Sequence, residues 1–146
     1  MEKILISACL VGDKTRYDSK SSYTPLIEDL MEKYELVPFC SEVEGGLSIP
    51  RLPSEIKGNK VIRNDGKDVT FNYQKGAELA WNICNYLGIR IAILKENSPA
   101  CGVHKIYDGS FKNRKIDGKG WTTRYLENKG VKCYSEDEIE ELLKLG

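Results

Sequence analysis

Three short apolar runs, each leading into a cysteine with glycine close behind, constrain this chain more than anything else in it. Ile4-Leu5-Ile6-Ser7-Ala8-Cys9 has Gly12 nearby, and Leu36-Val37-Pro38-Phe39-Cys40 precedes Gly45-Gly46. The third run, Ile91-Ala92-Ile93-Leu94, continues through Lys95-Glu96-Asn97 into Ser98-Pro99-Ala100-Cys101-Gly102. Each run has the length and character of a buried strand. In an open parallel α/β sheet, ligands gather beyond the carboxyl ends of the strands. Strands terminated in this way would carry Cys9, Cys40 and Cys101 to one rim. Pro99 removes a backbone donor and stiffens its turn, while Gly102 lets another group approach the backbone closely.

The rest of the chain supplies the helices such a sheet needs. Residues 3–8 read as the first strand. Thr24-Pro25 starts a helix with a capping hydroxyl and a proline at the first helical position. Leu26, Ile27, Leu30, Met31 and Tyr34 would form its buried face. A second strand is expected at 35–39, followed by an ordered loop over 40–53 with neither helical nor strand period. Residues 57–70 read as a surface excursion, with a small strand at Val61-Ile62-Arg63 and a turn at Asn64-Asp65-Gly66. A helix over 71–87 aligns Ala77, Ala80, Trp81, Cys84 and Leu87 and stops at Gly88. The third strand spans 90–95. Lys105-Ile106-Tyr107 can pair briefly, Asp108-Gly109 turns, and 111–118 reads as a mobile loop over the rim. A helix follows at 119–129, then a fourth strand at Val131-Lys132-Cys133-Tyr134. Ser135-Glu136-Asp137-Glu138 is a capping box opening the last helix, with Ile139, Leu142 and Leu143 inward. This order predicts an α/β fold, a mostly parallel sheet with helices on both faces, in a single domain over 1–146.

Composition narrows the partners. Lys plus Arg equal Asp plus Glu at 22 each, so no global field favours nucleic acid or a membrane surface. No apolar run approaches the ~20 residues of a membrane helix. Ile6-Ser7-Ala8-Cys9 loosely resembles a lipoprotein cleavage site, but too few residues precede it for a charged region and an apolar segment. A cytoplasmic protein is the expectation. The five cysteines are an odd number with no Cys-x-x-Cys, which argues against a disulfide framework and the usual zinc-ribbon spacing. Any metal site must be assembled by the fold.

Cys84, on an apolar helix face, and Cys133, in a short strand, read as core thiols. Cys9, Cys40 and Cys101, at matching strand ends, form a soft ligand set suited to an iron–sulfur cluster or to zinc. Clusters normally take four cysteines, so three would leave one iron open. Glu42 is a candidate general acid or base, its plainer alternative being a solvated loop carboxylate. Ser98 could donate a hydrogen bond or handle a proton, against an ordinary turn hydroxyl. His104, the lone histidine, could pair with Cys101, though a polar loop histidine is the simpler explanation. Arg16, Arg51 and Lys95 could hold an anionic group, with surface ion pairs as the plainer account of each.

Ser7-Ala8-Cys9-Leu10-Val11-Gly12 with Arg16-Tyr17-Asp18, then Phe39-Cys40-Ser41-Glu42-Val43-Glu44-Gly45-Gly46-Leu47-Ser48-Ile49-Pro50-Arg51, then Ser98-Pro99-Ala100-Cys101-Gly102 with Ile106-Tyr107-Asp108-Gly109-Ser110-Phe111 form an ordered set of motifs. On these motifs, nearly the whole chain resembles the DUF523 family, whose characterised members are thiouracil desulfidases. The resemblance implies a Rossmann-like domain carrying an oxygen-sensitive [4Fe-4S] cluster on three cysteines. The unligated iron binds the sulfur of a thiolated pyrimidine, which water oxygen replaces without net redox change, releasing sulfide. Carried over by motif, the ligands are Cys9, Cys40 and Cys101, and Glu42 and Ser98 are the catalytic residues. The implied substrate is a small thiolated base or nucleotide, thiouracil or a 4-thiouridine nucleotide, rather than nucleic acid. Two positions depart from the family pattern: Ser41 stands where proline is common, and Trp121 is bulky for a turn that could line the pocket. Two other readings remain at this level. One is a non-catalytic metal- or nucleotide-binding module using the same cysteines, and the other a metal-free thiol enzyme using Cys101 and His104.

Overall fold

In the computed structural model, which describes residues 1–14, 16–19, 23 and 25–145, the predicted alternation of strands and helices is present. The elements are β1 (Glu2–Ser7), α1 (Ile27–Lys33), β2 (Tyr34–Phe39), α2 (Ser41–Glu44), the hairpin of β3 (Ser54–Lys57) and β4 (Lys60–Arg63), α3 (Thr70–Leu87), β5 (Ile91–Leu94), the hairpin of β6 (Lys105–Tyr107) and β7 (Lys115–Asp117), α4 (Trp121–Asn128), β8 (Lys132–Ser135) and α5 (Ile139–Lys144). Short 3-10 turns cover Ala8–Val11 and Glu136–Glu138.

Strands β2, β1, β5 and β8 lie side by side in that order, all parallel. Alternating residues of the central strands point to opposite faces, as the pleat requires. Leu5, Ala92 and Leu94 pack with Ala80 and Cys84 of α3 and Leu126 of α4. Ile4, Ile6 and Ile93 pack on the other side with Ile27 and Leu30 of α1 and Ile139 and Leu142 of α5. Helices therefore cover both faces. Burying each such aliphatic side chain contributes roughly 1.5–3 kcal/mol, which explains why these strands are nearly continuous apolar runs. Chain connections diverge between β1 and β5, the switch point at which doubly wound sheets open a crevice.

Three expectations are corrected. Helix α1 is shorter than 24–34: Met31 is 55% exposed, and Tyr34 leaves the helix to open β2 while remaining buried. Two turns bury only the Ile27–Leu30 edge, leaving Met31 on the shoulder. The cap expected at Thr24 lies outside the described residues. The loop over 40–53 contains one helical turn, α2, directly after Cys40. The segment 111–118 includes β7, which pairs antiparallel with β6, Ile116 opposite Ile106. The capping box at Ser135 is present, its Oγ accepting the Asp137 N–H.

One helix contact bears on the site. A Cβ placed on Gly76 of α3 would lie 2.1 Å from the carbonyl oxygen of Ser41, so α3 packs directly on the backbone between Cys40 and Glu42. Asn72 adds a hydrogen bond from Nδ2 to the Gly45 carbonyl, 2.9 Å. Gly76→Ala is expected to cost on the order of 2–3 kcal/mol by overpacking, despite alanine's better helix propensity. Urea unfolding of the variant checks this; unchanged stability would show that α2 and α3 separate easily.

Candidate active site

Beyond the carboxyl ends of β1, β2 and β5 lies a cavity of about 390 Å³ whose lining includes Cys9, Cys40 and Cys101. Cys9 sits in the 3-10 turn after β1, Cys40 immediately follows β2, and Cys101 occupies the turn after β5. None of the three is in a disulfide; Cys9 and Cys101 are buried and Cys40 is partly so. Burial pushes the Cys101 thiol well above its ordinary range, the nearby Cys40, Glu42 and Cys9 push the same way, and a hydrogen bond with Ser7 opposes them. Ser7 is itself oriented by accepting the Lys95 N–H at its Oγ, 3.0 Å. Among the described residues, no three Cys, His, Asp or Glu side chains are gathered as a site for a single metal ion.

Glu42 and Ser98 line the same cavity and meet across it. The Ser98 Oγ accepts the N–H groups of Ala100 (3.0 Å) and Cys101 (3.1 Å). Its own hydrogen is thereby left to donate to Glu42 Oε2, at 3.3 Å. The other carboxylate oxygen, Oε1, accepts from Arg51 Nε at 3.1 Å and from the Tyr73 hydroxyl at 3.0 Å. Burial, reinforced by the Glu42 charge, raises the Tyr73 phenol well above its usual range, so it stays a donor. Arg51, with its side chain only 6% exposed, also reaches the Ser48 carbonyl through Nη1, 3.0 Å. Glu42 is thus held on one oxygen and open toward Ser98 on the other.

The Cys101 turn is secured from two directions. The buried Glu96 carboxylate accepts the N–H groups of Val103 (2.7 Å), His104 (2.9 Å) and Lys105 (3.0 Å) at one oxygen. From the other side, the first N–H groups of α4 donate to the turn: Trp121 to the Pro99 carbonyl, 2.8 Å, and Thr122 to the Ala100 carbonyl, 2.9 Å. Gly120 is required there, since a Cβ would stand 2.5 Å from the Ala100 carbonyl group. Thr123 adds a hydrogen bond from Oγ1 to the Cys101 carbonyl, 3.0 Å.

The structure thus brings together Cys9, Cys40, Glu42, Ser98 and Cys101. Arg16 and Lys95 also line the cavity and carry the ion pairs expected of them, with Asp18 at 2.9 Å and Glu136 at 3.0 Å. Arg51 differs from expectation: its ion pair is buried and made with the site carboxylate. His104 is turned away to Glu138, 2.6 Å, and does not line the cavity; the thiol–imidazole pair is not formed. Trp121 is also outside the lining, its Nε1 donating to Gln74, 2.8 Å. Ser41 is buried, and its Oγ accepts the Thr122 hydroxyl at 2.8 Å. Cys84 and Cys133 are core thiols as expected; burial pushes Cys84 up to about 11 and raises Cys133 further. Sequence reasoning missed Tyr73, Glu96 and the role of Ser7. Tyr73 carries no signal beyond its place on a buried helix face, and Glu96 looked like one more polar loop residue.

Fold and cavity together define a Rossmann-like domain with a cysteine-walled small-molecule site at its switch point. The sequence matches the 2-thiouracil desulfurase family over residues 4–138, and the chain belongs to that family. It is 36% identical over 150 residues to the uncharacterized protein YbbK of Bacillus subtilis (strain 168), across 96% of this chain and 99% of that one. Among solved structures, it is similar to the [4Fe-4S]-dependent thiouracil desulfidase TudS (DUF523Vcz). That match has a TM-score of 0.94 and 42% identity, covering 99% of this chain and 97% of the other. The resemblance carried by the cysteine motifs is borne out.

Two outcomes follow from these contacts. Arg51→Ala leaves the Glu42 carboxylate in place without its cation, and is expected to cost on the order of 3 kcal/mol in urea unfolding. His104 titrates above its ordinary range because of the hydrogen bond to Glu138, partly offset by burial. Stability from that pair is therefore fully present below about pH 6.5 and fades as pH rises through the raised value. Solvent screening keeps it under about 1 kcal/mol. His104→Ala should destabilise more at about pH 6 than at about pH 9; equal losses at both would contradict the pairing.

Proposed function

We propose that this protein is an iron–sulfur-dependent desulfidase that replaces the sulfur of thiouracil with oxygen from water and releases sulfide, without net redox change. One observation carries the reading: a hydrogen-bonded carboxylate and hydroxyl, Glu42 and Ser98, stand on the wall of the cavity that the side chains of Cys9, Cys40 and Cys101 also line. Membership of the 2-thiouracil desulfurase family and similarity to TudS support it. A binding module alone would give the Glu42–Ser98 pair no task.

The donor set fits a [4Fe-4S] cluster. Cys9, Cys40 and Cys101 come from separate strand ends around one cavity and supply only soft ligands, and a cubane takes its thiolates at separate irons rather than at one ion. These residues would hold the cluster, leaving one iron without a protein thiolate. When bound, such a cluster supplies a Lewis-acidic iron with affinity for sulfur.

The chain's own groups do the rest. Arg51 and Tyr73 fix the Glu42 carboxylate and occupy Oε1, so proton transfer is confined to Oε2. There Glu42 takes a proton from the attacking water. Ser98, oriented by two backbone N–H groups, donates its hydroxyl hydrogen to Oε2 and so aims that oxygen into the cavity. The cavity volume suits a small molecule, so the substrate is a thiolated pyrimidine base or nucleotide rather than nucleic acid. The chain acts as one domain, and its cysteines, none in a disulfide, fit a reducing, cytoplasmic setting. Among the described residues, no helix is long and apolar enough to cross a membrane.

Anaerobic reconstitution with iron and sulfide, followed by metal and sulfide analysis and a thiouracil assay, tests the proposal. Cys101→Ala is expected to lose cluster and sulfide release together. Glu42→Ala should load the cluster normally and lose turnover by roughly 100-fold or more. Full turnover by Glu42→Ala with its cluster intact would remove the role given to that carboxylate.

A further inference from the structure

The thiols and the Glu42–Ser98 pair account for one side of the cavity. Its mouth is built differently, from Tyr17, Asn64, Tyr107, Phe111 and Asn113. Tyr17, Asn64 and Asn113 are exposed, while Tyr107 and Phe111 are partly buried. Phe111 is held at a φ of +60°, a backbone conformation that bulky side chains rarely adopt. A turn that merely joined β6 to β7 would place glycine or asparagine there, as it does nearby at Asn113, φ +58°.

A charged group maintains this conformation. Glu55 of β3 is buried, and its Oε1 accepts the N–H groups of Gly109, 2.9 Å, and Phe111, 3.2 Å. The Lys57 ammonium lies 5.6 Å from the centre of the Phe111 ring. A disfavoured backbone angle and a buried carboxylate are thus both committed to presenting one apolar ring at the mouth of a cavity. Hairpin formation by itself needs neither. Strain maintained in this way is characteristic of ligand-contacting positions, and a planar aromatic face is what a pyrimidine ring stacks on.

We infer that Phe111 is the platform on which the substrate's ring stacks, a specificity-determining contact, and that Glu55 is the residue that positions it. The inference rests on reading the cavity as a thiouracil site. It assigns the thiol side of the cavity to the substrate's sulfur and the hairpin side to its ring face. The side-chain amides of Asn64 and Asn113, each offering a donor and an acceptor, line the same cavity.

The test compares Phe111→Leu, Phe111→Tyr, Glu55→Ala and Glu55→Gln with wild type, all loaded with cluster. Steady-state turnover of thiouracil is measured alongside calorimetric binding of uracil, the unreactive product. Phe111→Leu keeps an apolar side chain but no ring; KM for thiouracil and Kd for uracil should both rise roughly ten-fold, with the loss falling on KM rather than kcat. Phe111→Tyr keeps the ring and should restore both values. Glu55→Ala should reproduce the Phe111→Leu defect, and Glu55→Gln, whose amide oxygen still accepts both N–H groups, should rescue it. Should Phe111→Leu fail to load cluster, Phe111→Gly, which relieves the backbone at that position, serves the same comparison. Unchanged KM and uracil affinity without the ring, in a wild type that turns over normally, would overturn the inference alone. Equal impairment in Phe111→Leu and Phe111→Tyr would do the same. A fully loaded wild type that releases no sulfide from thiouracil would instead overturn the reading of the site.

Discussion

Hydrogen-bond register between β1 and its two parallel neighbours sets the height at which each cysteine-bearing turn begins. Ser7 stands opposite Phe39, and Ile6 stands opposite Ile93, so β1, β2 and β5 end almost level. The chain has little room to move after that: Cys40 is the next residue after β2, and Cys9 lies in the first turn after β1. A slip of one residue in either pairing would exchange the two faces of β1, driving Leu5 against α1 and Ile4 and Ile6 against α3. The apolar packing on both sides of the sheet therefore fixes the positions of the thiols.

Carboxylates with little exposure do the finer placement. Glu42, Glu55 and Glu96 all lie at the cavity, and each satisfies groups that regular secondary structure does not. Glu96 collects three N–H groups from the turn after Cys101, and Glu55 two from the β6–β7 loop. Loops that must face a cavity cannot use sheet pairing to satisfy their backbone donors, and leaving such donors unpaired would be costly. A carboxylate reaching from a neighbouring element solves both problems, since backbone N–H groups also compensate its burial. Glu42 differs in leaving one oxygen for chemistry.

The sequence made the architecture legible because its strands are short, apolar and separated by helices with clear stops, as at Gly88. It also located the cavity, because strand ends in a parallel sheet converge and the apolar runs pointed to Cys9, Cys40 and Cys101. Glu42 and Ser98 could be nominated by motif and position. Less legible was the machinery holding them. Tyr73 reads as core because its ring is core, and only the hydroxyl at its tip meets Glu42. Arg51 looks like a surface residue until the 40–53 loop folds back on α2. His104 follows the simpler of its two readings, a polar loop histidine, since the turn after Cys101 sends the ring toward Glu138. In each case the deciding contact is long-range, and no local pattern encodes it.

The docking of α4 against the Cys101 turn has a consequence for what the fold can bind. Parallel α/β proteins commonly use a helix N-terminus at the carboxyl edge of the sheet as a cradle for anions, combining free N–H groups with the positive end of the helix dipole. Here the first donors of α4 are already spent on the carbonyls of Pro99 and Ala100, and the dipole stabilises a protein turn instead of a phosphate. This end of the helix has become part of the scaffold. A phosphorylated ligand entering the same cavity finds the first donors of α4 already taken, in a fold whose relatives elsewhere so often leave that work to a helix N-terminus.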